Sequence, residues 1–380
     1  MSAQVHGWCP GALRPMRSGD GLVVRIRPPL GRLTQDQAAA IALAAQRFGN
    51  GLIDLSTRAN LQLRGVTKAS YPALIRALQA VDLIDADVQS EARRNIIVTP
   101  LADNLAYTIC RDLMAALDDG PDLPSKFGFC IDTGAQRRLN EASADIRIER
   151  DGRGQVIIRA DGLSLGAAVS AQEAGVMAVE LARWFVSCGG IGPDGRGRMS
   201  ALIANGARPD GALAATVAPA RAVPPLRPGA CDIGTAIGTA FGQLSSDGLA
   251  ALAASAPLRI TPWRILVLEG ITKVPDSPEI IIDPDDPRLR ISACTGAPGC
   301  LQAHAEIRSL ARELASHLPK NRKLHVSGCE KGCAHPRPTD KTLVARPDGF
   351  ALILDGSTSD VPVLTGLSAD EIPTLAEFHR

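Results

Sequence analysis

Hydrophobic and polar residues alternate along Gly21-Leu-Val-Val-Arg-Ile-Arg27, which predicts a strand. Leu22, Val24 and Ile26 fall on one face, and Val23, Arg25 and Arg27 on the other. The period then changes. Gln35 to Phe48 reads as a helix, with Thr34 placed to cap it and Gly49-Asn-Gly51 to end it. Leu52 to Leu63 returns to alternation and reads as one strand. Asp54, Ser56, Arg58, Asn60, Gln62 and Arg64 share its polar side, with Leu55, Thr57, Ala59, Leu61 and Leu63 opposite. The longest apolar stretch, Leu163 to Cys188, contains Glu173, Glu180 and Arg183, so it predicts a core helix and not a membrane span.

The pattern recurs. Gly31-Arg-Leu-Thr-Gln-Asp36 is echoed by Gly242-Gln-Leu-Ser-Ser-Asp247, and Asp54 to Gly65 runs position for position with Arg259 to Gly270. A gap in the intervening helix absorbs the offset. Leu123 to Gly134 matches Leu318 to Cys329, and the turns at Asp151-Gly152 and Asp161-Gly162 match Asp348-Gly349 and Asp355-Gly356. The chain is therefore expected to be an α/β (α+β) protein made of two copies of one unit, each a small half domain followed by a larger α/β domain. The expected boundaries are 1–88, 89–200, a linker at 201–230 rich in Ala, Pro, Gly and Arg, 231–288, and 289–380.

Composition changes this picture little. The chain has 380 residues, 45% of them hydrophobic, and a formal charge of +1, so it is long enough for several cores and lacks the basic excess of a nucleic-acid binder. Its nine cysteines are an odd number and no export signal is evident at the N-terminus, which points to a cytoplasm with reduced thiols.

Four of those cysteines are grouped. Cys294 and Cys300 lie in Ser292-Ala-Cys-Thr-Gly-Ala-Pro-Gly-Cys300, and Cys329 and Cys333 in Val326-Ser-Gly-Cys-Glu-Lys-Gly-Cys333. Two pairs of thiolates are what a [4Fe–4S] cluster needs, one per iron. Pro298-Gly299 would bend the first loop. Gly328 and Gly332 would allow positive φ, turning amides toward the sulfurs. Between the pairs, Ile307, Leu310, Ala311 and Leu314 mark a helix whose N-terminus would face the cluster, and Lys323 to Val326 reads as a strand. Zinc favours closer C-x2-C spacing, and a disulfide pairing suits neither the odd count nor the compartment. Scattered structural cysteines are the remaining alternative.

The C-x5-C and C-x3-C arrangement resembles that of the sulfite and nitrite reductase superfamily. Gly7-Trp-Cys-Pro-Gly-Ala-Leu-Arg-Pro-Met16, Ser18-Gly-Asp-Gly21 and Thr295-Gly-Ala-Pro-Gly299 are similar to its precorrin-3B synthase branch. The resemblance covers nearly the whole chain. It implies an internally duplicated reductase-like fold, with two ferredoxin-like half domains and two larger α/β domains. The second of these carries the cluster, since Gly134 stands where Cys329 would be in the first. It also implies a tetrapyrrole cavity between the copies and oxygen-dependent hydroxylation of precorrin-3A at C20, closing a γ-lactone, in aerobic cobalamin synthesis. Cofactors would be the [4Fe–4S] cluster and a mononuclear non-heme iron. Partners would be precorrin-3A, O2 and an external reductase or ferredoxin-like electron donor, with no nucleic acid and no membrane.

Such a substrate bears many carboxylate arms, which suit arginine. Arg25, Arg27, Arg58, Arg64, Arg93, Arg94 and Lys126 supply cations, though charges at period two also describe a solvated strand face. By the resemblance, Arg27, Arg58, Arg94 and Lys126 bind substrate, with Lys126 and Arg94 also catalytic. Ala59 replaces the Gln of the usual Arg-Gln pair, and Gly128 replaces a second active-site lysine, which would leave room for a substrate arm and for O2. Cys130 is a candidate to line the cavity. His325 and His335 are candidate iron ligands among His304, His317, His325 and His335, while Cys9, Cys110, Cys188 and Cys231 read as buried hydrophobes. The rival enzyme is a siroheme-dependent sulfite or nitrite reductase; the rival of another class is an iron–sulfur sensor or tetrapyrrole carrier.

Overall fold

The computed structural model describes residues 10–379, so residues 7–9 of the N-terminal motif, Cys9 included, lie outside it. Among the described residues four sheets form the fold, in two matching pairs. The first runs, in spatial order, Met16–Ser18, Gly21–Ile26, Leu61–Val66, Leu52–Leu55 and Gln243–Ser245. Its counterpart runs Gly229–Cys231, Gly234–Thr239, Ile265–Glu269, Leu258–Ile260 and Arg32–Leu33. Each is completed by a strand from the other copy. Gln243 pairs with Asp54, and Arg32 with Arg259. This exchange covers an edge on each sheet. Helices Gln35–Phe48 and Ser246–Ser255 pack between them in a single shared core, where Leu33 and Leu244 are both fully buried.

The larger domains repeat as well. Ile96–Val98, Phe129–Asp132, Ile146–Arg150, Val156–Ala160 and Ala167–Ala168 form one sheet, and Ile291–Ala293, Leu324–Ser327, Thr339–Arg346, Gly349–Gly356 and Leu364–Leu367 the other. In both, the first three strands are parallel and the rest antiparallel. Helices Asn104–Asp118 and Arg308–Ala315 make the first parallel crossover in each, as parallel strands require. The duplication reaches into backbone conformation. Leu30 and Phe241 share φ of 55° and 59°, and Ala59 and Arg264 share 53° and 61°, values that non-glycine residues rarely adopt.

Local signals behave as read at the helix starts. Thr34 caps Gln35–Phe48 in a reciprocal capping box with Gln37, and Ser245 caps the matching helix through Gly248 N–H. Three expectations need correction. Leu52 to Leu63 is a hairpin, with Ile53 facing Leu63 and Asp54 facing Gln62. The Ser56 hydroxyl accepts the amides of Arg58 (3.3 Å) and Asn60 (3.2 Å) and turns the chain. Because Asp54 pairs with an even-numbered residue, side-chain parity survives the turn and imitates a continuous strand. Leu163 to Cys188 is helical only over Ala174–Ser187. Gly166 packs against the Ile158 carbonyl, and Ser170 forms a local turn with Glu173. Within 201–230 the chain is laid along the first larger domain, with bridges joining Val217 to Gly166 and Pro219 to Asp151. No helix of the described residues is long and apolar enough to cross a membrane.

Candidate functional site

Ile291–Ala293 and Leu324–Ser327 are neighbouring parallel strands in register. Both cysteine loops therefore leave the same end of the sheet, the C-terminal end where open α/β sheets place ligands. Gly328 N–H points at Cys294 Sγ at 3.3 Å, and His304 N–H donates to Gly328 O at 2.8 Å, locking one loop to the other. Ala297–Pro298 is a cis peptide in the first loop, where Cys300 N–H closes on Gly296 O at 2.8 Å. Gly332 has positive φ, 62°, as expected, whereas Gly328 does not. Glycine is needed at 328 because a Cβ would meet Ala303 Cβ at 2.8 Å. The helix stripe Ile307, Leu310, Ala311 and Leu314 is buried beneath.

The four thiols share one electrostatic environment. Burial pushes the Cys329 thiol up, with the Lys331 amide opposing and Cys300 and Cys294 adding to the rise. Burial also raises Cys333, opposed by the Lys331 ammonium and reinforced by the other three sulfurs. All four are free thiols, Cys333 the most exposed. Four convergent sulfur donors with an amide aimed at one of them fit a [4Fe–4S] cluster. Such a cluster seats each thiolate on a separate iron and does not need them to meet at a point. In the first copy, register puts Thr99 level with Cys294: their amides donate to Ile131 O (2.8 Å) and Val326 O (3.3 Å). Asp132 there accepts the amides of Arg138 and Leu139, folding the loop back on itself.

Asp54, Arg308 and Arg64, the last expected among the substrate cations, instead hold the first cysteine loop. Arg64 Nη2 donates to Gly299 O at 2.8 Å, and Arg308 Nε donates to Cys294 O at 3.1 Å. Asp54 accepts from both guanidiniums, at 3.5 and 3.2 Å. The shared face of Asp54 and Arg64 was legible, but the contact with a loop 235 residues away was not.

The candidate substrate cations fall into two groups. Arg27 and Arg94 line one pocket with Asn60 and Ala59, a space of ≈ 20 Å³ that suits about one water. Arg27 is buried and lies 3.1 Å from Glu91, which also accepts the amides of Ala12 and Leu13. Arg94 grips Asp85 through Nε and Nη2 at 2.7 and 2.9 Å, and its Nη1 donates to Arg27 O at 3.0 Å. Arg58 and Lys126 form the second group, with Arg58 Nη2 3.4 Å from Lys126 O and Lys126 exposed. Arg25 reaches Gln62, and Arg93 reaches Asp118 O.

Gly128 does not open onto free space. A Cβ there would lie 2.7 Å from Asn95 Nδ2, which is itself bonded to Phe127 O, so the room expected for a substrate arm is filled. Gly128 N–H donates to buried Asp145, which anchors the Lys126 loop from behind. Cys130 is fully buried in the shared core and does not line a cavity. Cys110 is buried, while Cys188 is exposed and Cys231 partly so, which corrects their reading as buried hydrophobes. His325 and His335 meet edge to face, 5.9 Å between ring centroids, and neither His325 nitrogen has a hydrogen-bond partner. Among the described residues no three His, Cys, Asp or Glu side chains are set around a single ion, so the two histidines do not complete a mononuclear iron site there.

Residues 14–81 match the nitrite/sulfite reductase ferredoxin-like half domain family. A precorrin-3B synthase from Sinorhizobium sp is 32% identical, over 94% of this chain and 84% of that protein. A ferredoxin–nitrite reductase from Synechococcus elongatus is 32% identical over 35% of this chain and 28% of its own length. Among solved structures, the Mycobacterium tuberculosis NirA protein superposes with a TM-score of 0.63, covering 94% of this chain and 79% of NirA; at 18% identity this is a likeness of fold.

Proposed function

Because the chain belongs to the precorrin-3B synthase family, on the nitrite and sulfite reductase fold, we propose that it hydroxylates precorrin-3A at C20 with O2 and closes the γ-lactone. The observation that carries this reading is the near full-length kinship with a precorrin-3B synthase. The convergence of Cys294, Cys300, Cys329 and Cys333 supports it. Those four residues would hold a [4Fe–4S] cluster, which when bound stores single electrons supplied by an external donor protein. The rest of the work falls to the chain as positioning. Lys126 and Arg58 present cationic groups to substrate carboxylates. Arg94, clamped by Asp85, holds the backbone carbonyl of Arg27 just past the end of the strand Gly21–Ile26. The Arg27 and Arg94 pocket would admit at most one small peripheral group of the macrocycle.

The test is turnover with anaerobically purified protein. We expect iron and acid-labile sulfide in equal amounts, no siroheme, and joint consumption of O2 and precorrin-3A given a reductant, with label from heavy oxygen gas in the product. Stoichiometric siroheme, or six-electron reduction of sulfite or nitrite, would overturn the proposal in favour of the reductase. Tight substrate binding without turnover would favour a carrier.

A further inference from the structure

We infer that Arg64 and Arg308, joined through Asp54, are positioning residues that clamp both ends of the Cys294–Cys300 loop and raise the reduction potential of the cluster it would hold. This rests on the iron–sulfur reading above and extends it to residues of the first half domain. Gly299 O accepts three donors: Arg64 Nη2 at 2.8 Å, Ser18 Oγ at 2.6 Å and Gly19 N–H at 3.1 Å. A carbonyl has two lone pairs, so this one is saturated and its peptide plane is held. Gly19 is required, since a Cβ would run into the Pro298 carbonyl. At the other end Arg308 Nε holds Cys294 O at 3.1 Å. Asp20 receives the Arg64 fork at 2.9 and 2.8 Å, and Gln243 Nε2 donates to Asp54 at 2.9 Å.

These groups are desolvated, with Arg64 5%, Asp54 6% and Arg308 8% exposed. Arg264, half-buried with its Nη2 3.5 Å from Ala334 O, is near enough to Arg308, Asp54 and Cys294 to feel their charges. Three guanidiniums (64, 264, 308) against two carboxylates (20, 54) leave one positive charge in excess beside the thiols. Arg308 Nη1 is buried with no hydrogen-bond partner. Excess buried charge is costly unless an anion offsets it. Four thiolates around iron and sulfide form such an anion, and an added electron makes it more negative. Fixed positive charge therefore favours the reduced cluster.

The second copy shows that the fold alone does not demand this polarity. There Arg259 stands at the position of Asp54 and Glu269 at that of Arg64, with Arg32 across from Arg259 as Gln243 is from Asp54. The pair Arg259 and Glu269 meets with reversed sign, and Arg259 donates to the Tyr107 hydroxyl rather than serving a cysteine loop.

The experiment compares wild type with Arg308→Gln, Arg64→Gln, Arg308→Lys, Arg64→Lys and the mirror control Arg259→Gln, all purified anaerobically with cluster. Two quantities are read: the midpoint potential by EPR-monitored titration, and the rate of iron loss to a ferrous chelator. We expect the Gln variants to shift to more negative potential and lose iron faster. The Lys variants should keep the potential but lose iron faster, because the fork is gone. Gln variants matching wild type in both readings would overturn the inference, as would an equal shift in Arg259→Gln. If the Gln variants do not assemble, the Lys variants decide, and wild-type rates of iron loss in both would overturn it. Wild-type protein without iron and sulfide would overturn the underlying cluster reading instead.

Discussion

His325 is fully buried, with neither ring nitrogen hydrogen-bonded. Burial, then the His335 and Arg264 charges, push its pKa down to about 4. Because the folded value lies below the unfolded one, the unfolded chain takes up the proton first as pH falls. The stability is intact above about pH 6.5 and is lost progressively toward pH 4. Urea denaturation at pH 7 and pH 5 should show wild type losing about 2 kcal/mol more than His325→Phe over that interval. Parallel pH slopes would show that His325 is not the titrating group. Gly128 carries a second prediction at this scale. Gly128→Ala should destabilise the protein by about 1–3 kcal/mol through collision with Asn95, measured by thermal melting. Unchanged stability would restore the open space that the sequence suggested. Among the cations, Arg58→Ala should weaken tetrapyrrole binding by about 1.5–3 kcal/mol while leaving stability within about 0.5 kcal/mol. Arg94→Ala should act on stability, because it strands Asp85 and releases Arg27 O. Equal effects of the two on melting temperature would contradict this division.

Elements were legible where the signal is local. The caps at Thr34 and Ser245 were readable as the same signature in two copies, since a hydroxyl three residues ahead of an amide is a matter of a few bonds. Thr34→Ala should cost about 1 kcal/mol. Ser245→Ala should cost more, because Ser245 Oγ also donates to Glu279 at 3.1 Å. Chemical denaturation of the two variants checks the order, and equal losses would reject it. The hairpin at Ser56 was not legible for a physical reason: alternation records which side a residue faces, and a turn joining even to even positions leaves that record unbroken. Gly328 was legible as a necessary glycine but for the wrong cause, since close packing against Ala303 and a positive φ leave the same mark in a sequence.

At the scale of the whole molecule the two copies are interleaved. Arg32–Leu33 and Gln243–Ser245 each complete the other copy's sheet, and one core runs through both half domains. A chain cut near residue 205 should therefore give two pieces that do not unfold cooperatively alone. Their co-expression should restore a single transition and cluster binding. Cooperative unfolding of the isolated first piece would show that the exchange is dispensable. The four thiols behave likewise: Cys329→Ser should strip iron and sulfide, whereas Cys188→Ser should not.

The duplication, the four grouped thiols and the family can be read from the chain alone, because each is written in residues near one another or in a repeat of spacing. It could not show that Ser18-Gly19 and Pro298-Gly299, two stretches singled out separately, touch at Gly299 O. Nor could it show that Arg64 serves the cysteine loop while Arg58 remains beside Lys126. Both arginines stand on the same face of the same alternating pattern. Which one meets a distant backbone carbonyl depends on how the two copies pack, a long-range matter that no local pattern of residues records.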